Sequence, residues 1–250
     1  TGEASTLSDE EHVKVCKFCV DHVNKRVPVI AGAGSNNTLH AALMAEEMEK
    51  IGADALLLVT PYYNKCSQEG LIKHFFKIAD CVNIPSIVYS VPSRTGVNIL
   101  PQTALALSKH KNIVGIKEAT GNISQVAEII RLVPPDFGVY SGNDDMVVPV
   151  LSLGGFGYIS VLSNVVPKEA VRMTDLWFNG DTKGSCAMQL ALKPLIDVLF
   201  SDVNPIPVKV ALNMMGKAQI NMRLPLCPPN DGTAEKIKRT LIEYKLIGEF

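Results

Sequence analysis

Short runs of β-branched and aliphatic residues alternate along this chain with longer stretches whose apolar positions recur every three or four residues. The short runs predict strands at Val27–Gly34, Ala55–Tyr62, Ser86–Val91, Ile113–Ala119, Gly138–Gly142 and Gly157–Leu162. The longer stretches predict helices, among them Asp9–Asn24, Asn37–Ile51 and Ser67–Cys81. Strands apolar on both faces belong to a parallel sheet covered by helices. After Asn164 the alternation stops. Lys168–Asn179, Lys183–Phe200, Pro207–Met215 and Thr233–Leu246 read as helices with no strand between them. The fold class is therefore α/β with a helical appendix. Two architectures repeat βα units in this way, an open doubly wound sheet and a (β/α)8 barrel. Polar and aromatic residues gather where strands run into loops, in "TPYYN", "YSVPSRTG", "KEATGN", "SGNDD" and "SVLSN". A barrel puts all such loops on one face, and this favours the barrel.

Composition narrows the partners. The 250 residues carry 24 basic and 25 acidic side chains with no basic block, which argues against nucleic acid. No apolar run reaches membrane-spanning length and no secretory signal opens the chain, so no membrane partner is expected. The six cysteines sit mostly in regular apolar patterns, as expected of a protein in a reducing cytoplasm. The first residue is Thr1, not Met, which implies processing, trimming or a segment upstream.

The stretch "IVGIKEAT" (113–120) raises the sharpest chemical question, because an apolar strand ends in a lysine. Side chains alternate along a strand, so Gly115 and Lys117 share one face and Val114 and Ile116 the other. The two aliphatics suit the helix side, which points Lys117 into the barrel. Desolvation disfavours a charged ammonium and lowers its pKa, and a neutral amine attacks carbonyls. The bland alternative is a lysine reaching to solvent and pairing with Glu118. Tyr62, Tyr63 and Tyr89 lie at or near strand ends, where a hydroxyl can relay protons, and Tyr89 is the most firmly placed. Arg94 stands in a Pro/Gly loop and suits a substrate carboxylate, unless it is simply solvated.

Other motifs fail. "AGAGSNN" lacks the third glycine of a dinucleotide loop, and "GGFG" precedes a strand instead of following one. Cys16 and Cys19 form C-x-x-C inside a helical pattern and without a partner pair. Asp144 and Asp145 suit a cap on the following helix better than a metal. The five histidines show no ligand spacing, so metal-free chemistry is expected.

The segments "TPYYNKCSQEGL", "YSVPSRTGVN", "GIKEATGN", "SGNDD" and "GGFGYISVLSNVVP" resemble the dihydrodipicolinate synthase / N-acetylneuraminate lyase family. The resemblance runs through "NPIPVK" and "RLPLCP" to the end of the chain. It implies the (β/α)8 barrel fold, N-terminally incomplete over 1–180, and a C-terminal helical domain over 181–250. It also implies a lyase with no cofactor beyond a pyruvate Schiff base on its own lysine. The expected reaction condenses pyruvate with aspartate semialdehyde to 4-hydroxy-tetrahydrodipicolinate, on the diaminopimelate route to lysine, in a homo-dimer or homo-tetramer. By this resemblance Lys117 is the Schiff-base lysine and Tyr89 the acid/base. Tyr63 is the relay that reaches a neighbouring subunit's site. Arg94 holds the aldehyde's carboxylate, Ile159 and Gly142 lie against pyruvate, and Thr1 grips the pyruvate carboxylate.

The sequence departs from the family pattern in one place. Of the Gly-Thr-Thr-Gly-Glu motif only "TGE" is present, and the resemblance then implies that two barrel strands and a helix are missing from these 250 residues. A chain of that extent alone is expected to expose unpaired edges at the Val27 and Gly157 strands and to turn over poorly. A longer polypeptide is expected to have an intact barrel. Two alternatives to the synthase remain. One is a related lyase of sialic or keto-deoxy sugar acids, against which Arg94 argues. The other is an impaired barrel serving as a binding or assembly module. Lysine feedback in the family implies an effector site matching Ala4, Ser5, Asp9, His12, Asn36, His40 and Tyr62. His40 stands where sensitive members carry a glutamate, and Asp9 replaces a histidine, so weak or absent inhibition is expected.

Overall fold

The computed structural model describes residues 1–248. In chain order the helices are α1 (Asp9–Val23), α2 (Thr38–Lys50), α3 (Gln68–Ala79), α4 (Pro92–Thr95), α5 (Pro101–Leu107), α6 (Ile123–Leu132), α7 (Val147–Ser152), α8 (Pro167–Phe178), α9 (Thr182–Leu199), α10 (Ile206–Met214) and α11 (Asp231–Glu243). The strands are β1 (Ile30–Gly32), β2 (Ala55–Val59), β3 (Ser86–Ser90), β4 (Ile113–Glu118), β5 (Gly138–Ser141) and β6 (Gly157–Tyr158). They form one parallel sheet in the order β1-β2-β3-β4-β5-β6.

The chain divides into two compact units. The first comprises Ser8–Asn143 and Pro149–Ile159 and holds the whole sheet. Leu56, Leu58, Val88 and Ile116 from the strands are fully buried, as are Met48, Phe75, Ile78 and Ile129 from the helices. The second comprises Thr1–Leu7, Asp144–Val148 and the chain from Ser160 onward. Its core is helical, built on Met173, Leu195, Leu199, Ala211, Ile237 and Leu241. No helix among the described residues is long and apolar enough to cross a membrane.

Local sequence explains where the helices start. Ser8 and Glu11 form a reciprocal capping box on α1. Asn37, Ser67, Asn122, Asp181 and Asn230 each accept a backbone N–H in the first turn of the helix that follows.

Three expectations need correction. The strand expected from Val27 starts at Ile30, because Pro28 has no N–H and that of Val29 donates to the Asp54 side chain at 2.7 Å. The strand expected to reach Leu162 ends at Tyr158, because the N–H groups of Val161 and Leu162 turn instead to the Asp144 carboxylate, at 2.9 and 3.1 Å. Asp144 does cap a turn, but the turn is Leu162–Asn164, far along the chain, and Ser160 Oγ donates to the same carboxylate. The third correction concerns Val114. Ser86 pairs with Ile113 and Ile87 with Gly115, so Val114 is an extra, bulged residue and is 39% exposed, while Ile116 is fully buried. The simple alternation fails at Val114 and holds from Gly115 onward.

His74 on the buried face of α3 makes stability pH-dependent. Its Nδ1 meets Thr38 Oγ1 at 2.9 Å, and its Nε2 is buried without a hydrogen-bond partner. Burial lowers its pKa from the usual 6.5 to about 4. The folded state therefore resists a proton that the unfolded chain accepts. Stability is full above pH 6.5 and falls as the pH drops toward 4, by up to about 3 kcal/mol from this residue. Urea midpoints measured from pH 7 to 4.5 are expected to fall more steeply for the native chain than for His74→Leu. Parallel profiles would show that His74 carries no such linkage.

Candidate active site

The register of the sheet sets two rows of side chains side by side. Tyr89, Lys117 and Tyr140 pair across β3, β4 and β5, and share one face. Each of the three is half-buried. The next row, Ser90, Glu118 and Ser141, points to the other face and is buried.

Lys117 therefore stands between two tyrosines at the carboxyl end of the strands. Its Nζ lies 4.2 Å from the centroid of the Tyr89 ring. Burial raises the pKa of Tyr89, and the charge of Arg94 partly offsets this. The phenol is thus held protonated through neutral pH, as a proton donor must be. Glu118, the partner that the alternative reading of Lys117 offered, belongs to the other row. Its Oε1 accepts the Thr120 N–H and Gln125 Nε2, both at 3.2 Å.

Glycines shape the floor of this row. A Cβ on Gly138 would meet Tyr140 Cε2 at 2.7 Å, and one on Gly115 would meet the Gly138 carbonyl oxygen at 2.5 Å. Gly142 donates its N–H to the Glu118 carbonyl at 2.7 Å, and a Cβ there would lie 3.2 Å from Lys117 Cε. Tyr140 was missed as a site residue in the sequence, although a signal existed. It lies two positions before Gly142 and two after Gly138, so period two puts it on the face of the glycines. Burial raises its pKa too, and its ring meets Phe156 edge-on at 6.2 Å.

The remaining residues fall as follows. Arg94 is exposed on α4, and the next residue, Thr95, is buried. The Thr95 hydroxyl accepts from Thr60 Oγ1 at 2.9 Å and from the Val97 N–H at 3.2 Å, which anchors the loop that bears Arg94. Ile159 continues the β5–β6 pairing through its N–H to the Ser141 carbonyl at 2.9 Å, and is half-buried. Tyr63 is 91% exposed with φ of 72°, a left-handed conformation that costs a bulky residue strain. Thr1 belongs to the other compact unit, where its hydroxyl accepts the Glu3 N–H at 3.1 Å.

The effector positions are likewise divided between the two units. Ala4 and Ser5 form a 3₁₀ turn in the helical unit. In the sheet unit, Asn36 Nδ2 donates to the Tyr62 carbonyl at 3.0 Å and His40 meets the Asp9 carboxylate at 2.9 Å. Burial lowers the pKa of His12 nearby. Among the described residues, no three of His, Cys, Asp and Glu converge to hold a metal ion.

A lysine amine set between two tyrosines at the carboxyl end of a parallel sheet is the equipment of an α/β enzyme that works on carbonyls. The sequence model of the Dihydrodipicolinate synthetase family matches residues 1–244, and the chain belongs to that family. It is 53% identical, over all 250 residues and 84% of the relative, to 4-hydroxy-tetrahydrodipicolinate synthase of Thermoanaerobacter sp. (strain X514). Its fold matches that of a dihydrodipicolinate synthase from Acinetobacter baumannii complexed with pyruvate, with a TM-score of 0.96 and 41% identity. That match covers 98% of this chain and 84% of the other. The enzyme from Cyanidioschyzon merolae with lysine bound matches with a TM-score of 0.95 and 36% identity, over 98% of this chain and 84% of that one.

Proposed function

We propose that this chain condenses pyruvate with aspartate semialdehyde to 4-hydroxy-tetrahydrodipicolinate, by way of a Schiff base on Lys117. The observation that carries the reading is the row Tyr89–Lys117–Tyr140, with the amine 4.2 Å from the Tyr89 ring centroid. The neutral amine adds to the keto carbon of pyruvate, and loss of water leaves the protonated imine. That imine is the electron sink, so the chemistry calls on no separate cofactor. A proton leaves the methyl carbon to give an enamine, the enamine carbon bonds to the aldehyde carbon of the second substrate, and the aldehyde oxygen takes a proton to become the hydroxyl. The semialdehyde's own amine then adds to the imine carbon and displaces Lys117, which closes the ring and frees the lysine. Tyr89 supplies protons from a phenol that burial keeps protonated, and takes one back once it has given one up. Arg94 binds the semialdehyde's carboxylate, and Gly142 and Ile159 line the pyruvate site.

The barrel belongs to the same proposal. Among the described residues β1 and β6 each pair along one edge only, and two further strands between them would close the sheet at eight. Tyr63, exposed on its left-handed backbone, acts in the site of a second copy, and the working form is a homo-dimer or homo-tetramer.

Borohydride with pyruvate is expected to trap a stable adduct on Lys117, located by peptide mass, and a coupled assay with both substrates is expected to show turnover. No adduct would defeat the reading, and an adduct without turnover would favour a binding role instead. Gly142→Ala offers a sharper check. The new Cβ would lie 2.7 Å from Ala119 Cβ and 3.2 Å from Lys117 Cε. The ends of β4 and β5 must part, which moves the amine. Turnover is expected to fall about 10²-fold, the scale of a misplacement near 1 Å. Unchanged turnover would place Gly142 outside the site.

A further inference from the structure

Two members of the polar row behind Lys117, Ser90 and Glu118, are joined by one continuous set of hydrogen bonds. Ser90 and Glu118 are 0% and 3% exposed. Polar groups buried this deeply are costly unless bonded. Ser90 Oγ donates to Asn98 Oδ1 at 3.2 Å and accepts the Ile99 N–H at 3.1 Å. The Asn98 and Gln125 amides exchange two hydrogen bonds, at 2.8 and 3.1 Å. Gln125 Nε2 also donates to Glu118 Oε1 at 3.2 Å. From α3, Gln68 Nε2 reaches the Asn98 carbonyl at 2.8 Å. Local sequence builds the far end of this set. Gly121, at φ of 76°, turns the chain, Asn122 caps α6 on the Gln125 N–H, and the first turn of α6 then faces Gln125 toward Glu118.

We infer that Ser90, Asn98, Gln125 and Glu118 form a positioning network that sets the Lys117 amine against Tyr89. The inference rests on the Schiff-base reading above. Ser90 is the residue after Tyr89, and Glu118 the residue after Lys117. A strand that twists at one residue turns the side chain of its neighbour, so tying residues 90 and 118 together on the back face fixes residues 89 and 117 on the front. β3 and β4 stop at this end of the sheet. Beyond them the Ala119 N–H still reaches the Ser90 carbonyl at 2.9 Å. The network works through geometry, and the charge of Glu118 is incidental to it. Burial raises the Glu118 carboxyl above its usual pKa, and the donors from Thr120 and Gln125 draw it back.

Three variants test this against the native chain, using borohydride trapping by pyruvate, turnover in the coupled assay and thermal melting. Glu118→Gln keeps an acceptor for Gln125 and is expected to hold kcat within about threefold. Glu118→Met and Gln125→Met keep side-chain length but break the network. Each is expected to lower kcat by about 10- to 100-fold, with KM for pyruvate changed by less than about threefold. A role in stability alone would move the melting temperature and leave the kcat of the folded protein untouched. If Glu118→Met folds poorly, Gln125→Met on the half-buried face of α6 carries the test. The inference is overturned if Gln125→Met turns over like the native chain, or if Glu118→Gln falls as far as Glu118→Met. Failure of the native chain to form any adduct would instead overturn the Schiff-base reading, and this inference with it.

Discussion

Lys117→Arg is expected to form no borohydride-trapped pyruvate adduct and to lose turnover by about 10⁴-fold or more, the scale on which a covalent nucleophile matters. Arginine keeps a positive charge in the Tyr89–Lys117–Tyr140 row but offers no neutral amine at any working pH. The melting temperature is expected to stay close to native, because Lys117 is half-buried and its strand is held by Ile116 and by pairing on both sides. The variant therefore separates chemistry from folding. Mass spectrometry of the trapped protein reads the first outcome and the coupled assay the second. Undiminished labelling would put the nucleophile on another lysine.

Tyr89→Phe is expected to lower kcat by about 10²- to 10⁴-fold, the usual weight of a positioned acid or base. Phenylalanine keeps the ring that lies 4.2 Å from the Lys117 amine and removes only the hydroxyl. Placement of the lysine should survive, so trapping should be slower but present. Burial holds the Tyr89 phenol above the ordinary tyrosine pKa, so it remains a proton donor through neutral pH. Stopped trapping and steady-state assays on the native chain and the variant measure the two effects separately. Turnover within threefold of native would move the acid/base role away from Tyr89. Tyr140, on the other side of the same lysine, would then be the next residue to test.

Much of this was present in the order of the residues. Period two and period 3.6 are local properties, and they located the six strands and the helices of the appendix. Strand polarity put Lys117 and Tyr89 at the carboxyl ends, where a parallel sheet keeps its chemistry. The long motifs carried the family. Tertiary structure alone decided how these pieces meet. The bulge at Val114 depends on the pairing of β3 with β4, and no pattern within β4 announces it. The Asp144 carboxylate ends β6 and caps a turn near residue 162, a choice made by proximity across 17 and 18 residues of chain. Period two puts Tyr140 on the face of Gly138 and Gly142, but only the register sets it beside Lys117. No motif or period in the sequence singles out Gln125 or Asn98. They become the link between residues 90 and 118 because α6 starts where Asn122 caps it and so faces the back of β4. Periodicity is written within a segment and survives in one dimension, while hydrogen-bond partners between segments exist only once burial has removed water as the alternative.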